Sequence, residues 1–160
     1  MKNNKTKQMT QGAVIAALYV VLTLLAKAMG LDSGQIQLRF SEALCILPCF
    51  LPAAVPGLAV GCLLANLLCG NIIWDVIFGT LATLIGAVGT RLLRKNRWLA
   101  CLPPMLANIL IVPFVLSYAY GLPGTIPFFM LTVGIGEVLS CGLLGQLLYG
   151  TLDKHKNNLF

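Results

Sequence analysis

The sequence predicts an all-α integral membrane protein with six transmembrane helices and both termini in the cytoplasm. Hydrophobic residues make up 58% of the chain and charged residues only 10%, whereas a soluble domain carries roughly 25% charged residues. The 160 residues suffice for six spans of about 20 residues joined by short loops. We therefore expect one six-helix membrane domain over residues 1–160, with polar tails at about 1–9 and 153–160.

The basic residues determine the predicted orientation. They cluster in the N-terminal tail, in the C-terminal tail and in the short stretch 91–97. Basic residues that flank apolar runs are typically retained on the cytoplasmic side, so these three segments are predicted to face the cytoplasm. The same positions argue against nucleic acid as a partner, because the charges lie beside membrane segments.

The first predicted helix is the apolar run 10–29, which is long enough to span a bilayer. Ala13 and Ala17 form a small-xxx-small face that lets another helix approach closely. This face is predicted to contact either a partner protein or another helix of the chain. The polar stretch 30–38 follows on the outside, and its glycines give it the mobility expected of a gate.

The next apolar stretch, residues 41–69, does not fit a single span. As one helix it would be about 43 Å long, yet two full spans would need about 40 residues. Pro48, Pro52 and Pro56 interrupt it, and proline breaks or kinks a helix. Because an even number of spans must separate two cytoplasmic segments, we expect two short helices that turn near Pro52.

Three longer apolar runs complete the predicted bundle. They are separated by the basic break at 94–97 and by a Gly-Leu-Pro-Gly turn at 121–124. The three runs are residues 74–93, 99–120 and 125–152.

Glu137 is the sharpest candidate for a binding residue. It lies about twelve residues into the sixth predicted helix, near mid-membrane, where ionisable groups are costly and usually serve a site. Lys27 and Arg39 are predicted to lie near the outer surface, so a permanent ion pair with Glu137 is not expected. The alternative is a protonated or hydrogen-bonded glutamate that packs against a neighbouring helix.

Other polar residues gather at the predicted outer ends of the helices. Arg39 and Glu42 are about one turn apart and either pair with each other or contact a substrate. Asp75 either stabilises a helix start or binds, while Trp74 and Tyr118 either anchor at the interface or stack on a flat ligand. The full predicted substrate-binding set is Glu137, Asp75, Glu42, Arg39, Gln37, Asn66, Asn71, Trp74 and Tyr118.

Several kinds of chemistry are not expected. The sequence contains no G-x-x-x-x-G-K-[ST] phosphate loop, no H-E-x-x-H and no G-x-S-x-G, so the chain is predicted not to be an enzyme. Its six cysteines lie in or beside apolar runs without a C-x-x-C pair. They are expected to pack as small apolar side chains, and neither a metal nor a cofactor is predicted.

Short helices, a basic N-terminus and the alanine face resemble the substrate-binding (S) components of energy-coupling factor (ECF) transporters. Within that group, residues 35–44, the pair 47–48, and residues 56–66 and 75–83 look like the QueT family. The resemblance runs from the first helix to the last and is most specific over residues 35–83.

The resemblance implies uptake of a queuosine precursor, such as a 7-deazaguanine base or queuine. It also implies two partners, a transmembrane T component and a pair of ATPase subunits. The small-xxx-small spacing of Ala13 and Ala17 makes them the expected contact. A guanine-like edge has adjacent N–H donors that one carboxylate can accept, and Glu137 suits that role. Two alternatives are an S component for another vitamin-like or purine-like substrate and a ligand-free membrane assembly or scaffold subunit.

Overall fold

The computed structural model describes residues 2–31 and 38–159, and every regular element within these ranges is helical. Two π-helical segments, Val115–Ala119 and Val138–Leu144, continue the helices that precede them. In chain order the remaining elements are α1 (Lys2–Ala28), a 3-10 helix (Phe40–Cys49), α2 (Ala54–Leu68), α3 (Ile73–Leu92), α4 (Arg97–Ala100), α5 (Leu102–Phe114), α6 (Ile126–Glu137) and α7 (Gly145–Leu159).

Four helical stretches are long and apolar enough to cross a membrane. They are Asn4–Ala28, Ile73–Leu92, Arg97–Ala119 and Ile126–His155. Two shorter apolar helices, Phe40–Cys49 and Ala54–Leu68, lie between the first and second of these. The all-helical membrane class predicted from composition is therefore confirmed, while six crossings and cytoplasmic termini remain a prediction.

The ambiguous stretch 41–69 folds as two short helices with a break around Pro52. The first is a 3-10 helix of ten residues, although such helices seldom exceed three or four residues. Its rise of about 2.0 Å per residue carries the chain about 20 Å, whereas an α-helix would carry it about 15 Å. The 3-10 geometry therefore lets a short segment reach further across the bundle.

Helices α1 and α2 run parallel and pack closely through glycines. A Cβ atom on Gly57 would lie 2.7 Å from the carbonyl oxygen of Gly12. A Cβ atom on Gly61 would lie 2.8 Å from Tyr19 Cβ. At the far end of both helices, the Lys27 ammonium donates to the carbonyl of Cys69. The chain must cross back between two parallel neighbours, and the 3-10 helix makes that crossing.

The end of the 3-10 helix is held by α3. Arg91 Nη1 donates to the carbonyl oxygens of Pro48 at 2.9 Å and Cys49 at 3.4 Å, which satisfies acceptors that a helix end leaves without partners. The 3-10 helix thus begins beside the C-terminal half of α1, where Thr23 Oγ1 donates to Ser41 Oγ at 2.9 Å. It ends beside the last turn of α3.

Candidate functional site

A small polar cavity lies between the start of the 3-10 helix, α5 and α6. Its volume is about 20 Å³, which is room for about one water molecule. Three titratable side chains border it. Its lining residues are Arg39, Glu42, Asn108, Val112, Val133 and Glu137.

Glu42 is fixed from two sides. Its side chain is 2% exposed. Tyr19 on α1 donates its hydroxyl to Oε1 at 2.6 Å, and Cys45 donates its thiol to Oε2 at 3.1 Å. Because buried carboxylates need hydrogen-bond partners, these two donors offset the cost of burying Glu42. Each of its oxygens can still accept a further hydrogen bond.

Glu137 has a different environment. It is 7% exposed, and Asn108 Nδ2 on α5 donates to its Oε1 at 2.8 Å. Its Oε2 is buried and has no hydrogen-bond partner among the residues that the structure describes. A buried polar atom without a protein partner is costly and calls for an explanation. This oxygen can accept a donor from a molecule in the cavity.

Arg39 lies near Glu137, although the sequence predicted that the two residues are at different depths in the membrane. The charge pattern placed Arg39 near the outer surface and left Glu137 without a cation at its level. Both residues border the same cavity, because the short 3-10 helix starts well inside the bundle. The cavity therefore presents one guanidinium and two carboxyl groups to the same space.

A second polar cluster joins the end of α2 to the start of α3. Asn71 Nδ2 donates to Asp75 Oδ2 at 2.9 Å and to Asn66 Oδ1 at 3.2 Å. Tyr120 donates its hydroxyl to Asp75 Oδ2 at 3.2 Å. Asp75, Asn66 and Asn71 thus come together as predicted, but they bond to one another and do not border the cavity. The arrangement accords with a structural role at the start of α3.

The two predicted aromatic residues lie on the outside of the bundle. Trp74 is 54% exposed and Tyr118 is 77% exposed. Both line an apolar groove of about 500 Å³ between α3 and α5, together with Phe78 and Phe114. The structure does not bring them to the cavity. Gln37, the remaining predicted binding residue, and most of the predicted gate 30–38 lie outside the described residues.

Ala13 and Ala17 are exposed on α1. The internal contact with α2 uses the neighbouring face instead, where Gly12 and Ala16 approach Gly57 and Gly61. Ala13 also borders a groove of about 530 Å³ along α1 and the start of α2. The small-xxx-small face is therefore open on the surface of the chain.

Two site residues escaped the sequence reasoning. Asn108 lies within the apolar run 99–120 and was not among the predicted binding residues, yet it donates to Glu137. Tyr19 lies within an apolar run, where it resembles the other large side chains. Its hydroxyl could have indicated a polar contact, because a buried tyrosine hydroxyl usually has a hydrogen-bond partner. Within the described ranges, no group of His, Cys, Asp and Glu is arranged to hold a metal ion.

Comparison with known proteins gives one finding. A family model described as QueT transporter matches residues 9–154. No curated protein matches the chain, and no solved structure matches it.

Proposed function

The chain belongs to the QueT transporter family, and we propose that it is the substrate-binding (S) component of an ATP-driven ECF uptake system in the cell membrane. Its substrate is a queuosine precursor, a 7-deazaguanine base or queuine. The observation that carries the substrate proposal is the cavity bordered by Glu42, Glu137 and Arg39. Its chemistry complements the edge of a guanine-like ring.

The ligand's hydrogen-bonding edge supplies both donors and an acceptor. The adjacent ring and amino N–H groups donate to the carboxylate of Glu137, whose Oε2 is the available acceptor. The ring carbonyl accepts from a donor on the cavity wall, and Arg39 and Asn108 are placed to provide one. Hydrogen bonds of this kind, in a site shielded from water, favour guanine-like rings over adenine-like rings.

Binding requires the cavity to widen. Ligand pockets usually measure about 300–1,000 Å³, and this cavity measures about 20 Å³. We assign the movement to the start of the 3-10 helix, where Arg39 precedes the first turn. A 3-10 helix of ten residues is poorly hydrogen-bonded for its length, so its rearrangement costs less than that of an α-helix.

The proposed topology has six crossings and two cytoplasmic termini. The parallel packing of α1 and α2 supports it, since the intervening 3-10 helix must return across the bundle. The bonds from Arg91 to Pro48 and Cys49 support it as well. They place the end of the 3-10 helix at the level of the basic segment 91–97, which the charge pattern assigns to the cytoplasm.

We assign the open face of α1 to the energy-coupling module. The T component would pack against Ala13 and Ala17, which are exposed and small enough for a close helix approach. Two ATPase subunits of the same module would supply the energy. Lys5 borders the adjoining groove, so this surface extends toward the cytoplasmic end of α1.

Titration of the purified chain with a 7-deazaguanine base tests the proposal. Saturable binding at one site per chain supports an S component for this class of base. Failure to bind it would remove this substrate and favour the alternatives, namely another vitamin-like substrate or a ligand-free scaffold subunit.

A further inference from the structure

We propose that Tyr19 of α1 is a positioning residue for the substrate-binding carboxylate of Glu42. The inference rests on the proposed function and adds one contact to it: Glu42, which borders the cavity, accepts from the N–H of the five-membered ring, a donor that the contacts with Glu137, Arg39 and Asn108 leave free. It assigns a role in recognition to a residue that does not border the cavity.

The position of the Tyr19 side chain supports this role. The Tyr19 hydroxyl lies 2.6 Å from Glu42 Oε1, which is a short, charge-assisted contact. Tyr19 is 1% exposed, and its ring is enclosed where α1 packs on α2. Gly61 allows this enclosure, because a Cβ atom there would lie 2.8 Å from Tyr19 Cβ. The hydroxyl therefore has little freedom to move away from Glu42.

Glu42 needs such an external restraint. It lies in the first turn of the 3-10 helix, next to the residues that must move when the cavity widens. Cys45 donates from the same helix and would move with Glu42. Tyr19 donates from α1, a separate and longer helix, so it supplies a fixed reference for the carboxylate. Without it, Glu42 would adopt several orientations, and binding would have to select among them.

Thr23, one turn further along α1, provides a matched control. Its Oγ1 lies 2.9 Å from Ser41 Oγ and 2.9 Å from the carbonyl oxygen of Tyr19, so it joins α1 to the 3-10 helix without touching Glu42. Thr23→Val and Tyr19→Phe each remove one buried hydroxyl from the same junction. A purely structural role for Tyr19 predicts equal effects of the two variants on substrate affinity.

The test is a double-mutant cycle on affinity for 7-deazaguanine, measured by calorimetry on the purified full chain. Tyr19→Phe should weaken binding about three- to tenfold, the size of one net hydrogen bond, and Thr23→Val should leave it unchanged. In a Glu42→Ala background, Tyr19→Phe should have no further effect, since the two residues act as one unit.

Two results would overturn the inference alone. One is an equal loss of affinity in Tyr19→Phe and Thr23→Val. This comparison does not need the Glu42→Ala variant, so it still tests the positioning role of Tyr19 if that variant does not fold. The other is wild-type affinity in Tyr19→Phe while Glu137→Gln binds weakly. If the wild-type chain itself does not bind 7-deazaguanine, the proposed substrate and this inference fail together.

Discussion

Glu42 and Glu137 border one cavity with unequal sets of partners. Both oxygens of Glu42 accept from protein donors. Among the residues that the structure describes, Glu137 accepts only through Oε1, from Asn108. A buried acceptor left without a partner costs about 1–3 kcal/mol. A donor from a bound ligand would remove this cost, so we expect Glu137 to be the residue that most directly recognises the substrate.

Glu137→Gln is predicted to weaken binding of a 7-deazaguanine base about ten- to a hundredfold. The amide replaces one acceptor with a donor and opposes a ligand N–H, and a hydrogen bond to a charged group contributes roughly 1.5–3 kcal/mol. The variant should fold, because an amide is less costly than a charge in a membrane interior. Calorimetry on the purified variant measures the effect.

Asp153→Asn is the matched control for Glu137→Gln, since it makes the same exchange at an exposed position on α7. It should bind like the wild-type chain. Wild-type affinity in Glu137→Gln, at normal expression, would remove Glu137 from the site and leave Glu42 as the carboxylate that reads the base.

The sequence identified the carboxylates of the cavity but not their partners. A charged residue inside an apolar run can be recognised from the sequence alone, because burying a charge in a membrane segment costs free energy in any fold. The bonds from Tyr19 to Glu42 and from Asn108 to Glu137 join residues 23 and 29 positions apart. They depend on how three helices are rotated about their axes, which a pattern of apolar residues leaves open. Trp74 and Tyr118 had the right chemistry for stacking, but they lie on the outer face.

At the scale of elements, α1 has two separate uses for its small residues. Gly12 and Ala16 face α2 and allow the close internal contact, while Ala13 and Ala17 are exposed. The alternatives left open by the sequence, partner contact or internal packing, therefore concern adjacent faces. The exposed face is the one that we expect to dock on a T component.

Replacing Ala13 and Ala17 together with tryptophan is predicted to abolish most uptake while leaving substrate affinity unchanged. Two indole rings prevent close approach of a partner helix but do not reach the cavity. Uptake of labelled base by cells and calorimetry on the purified chain give the two readouts.

Val14 and Leu18 provide the control for this pair. They are exposed at the same depth of α1 and do not border the groove, so their replacement by tryptophan should preserve uptake. Equal loss of affinity and uptake in the Ala13/Ala17 variant would identify internal packing and end the docking proposal.

In residues 41–69 the positions of the two helices could be predicted from the sequence, but their helix type could not. Three prolines and the parity of cytoplasmic charges led to two short helices with a turn near Pro52, and the observed helices end at Cys49 and begin at Ala54. The 3-10 geometry was not predicted, since apolar periodicity is uninformative in a segment that is apolar on all sides. The π-helical segments after α5 and α6 were not predicted either, for the same reason.

At the scale of the molecule, the parallel arrangement of α1 and α2 constrains the topology. We predict that a cysteine at Asn96 or Asn158 resists labelling by a membrane-impermeant thiol reagent in intact cells, because both positions lie in or beside basic segments. A cysteine at Leu122, in the opposite loop at 121–124, should be labelled. The wild-type chain gives the background of its own cysteines.

Labelling at Asn96 or Asn158 from outside would contradict six crossings with cytoplasmic termini. It would also contradict the proposal that the cavity receives its substrate from outside. Protection of all three positions would indicate that the loop at 121–124 is covered, and protease-treated spheroplasts would then show whether it faces outward.

We propose above all that the chain captures guanine-like 7-deazapurines in the cavity between Glu42 and Glu137. The most direct test is calorimetric titration of the purified wild-type chain with 7-deazaguanine and, separately, with 7-deazaadenine, which has the same ring size but lacks the paired N–H donors beside a carbonyl. We predict one saturable site for 7-deazaguanine and at least about a hundredfold weaker binding of 7-deazaadenine, the loss expected when buried polar groups are left without partners. Equal affinity for both bases, or binding of neither, would contradict the account.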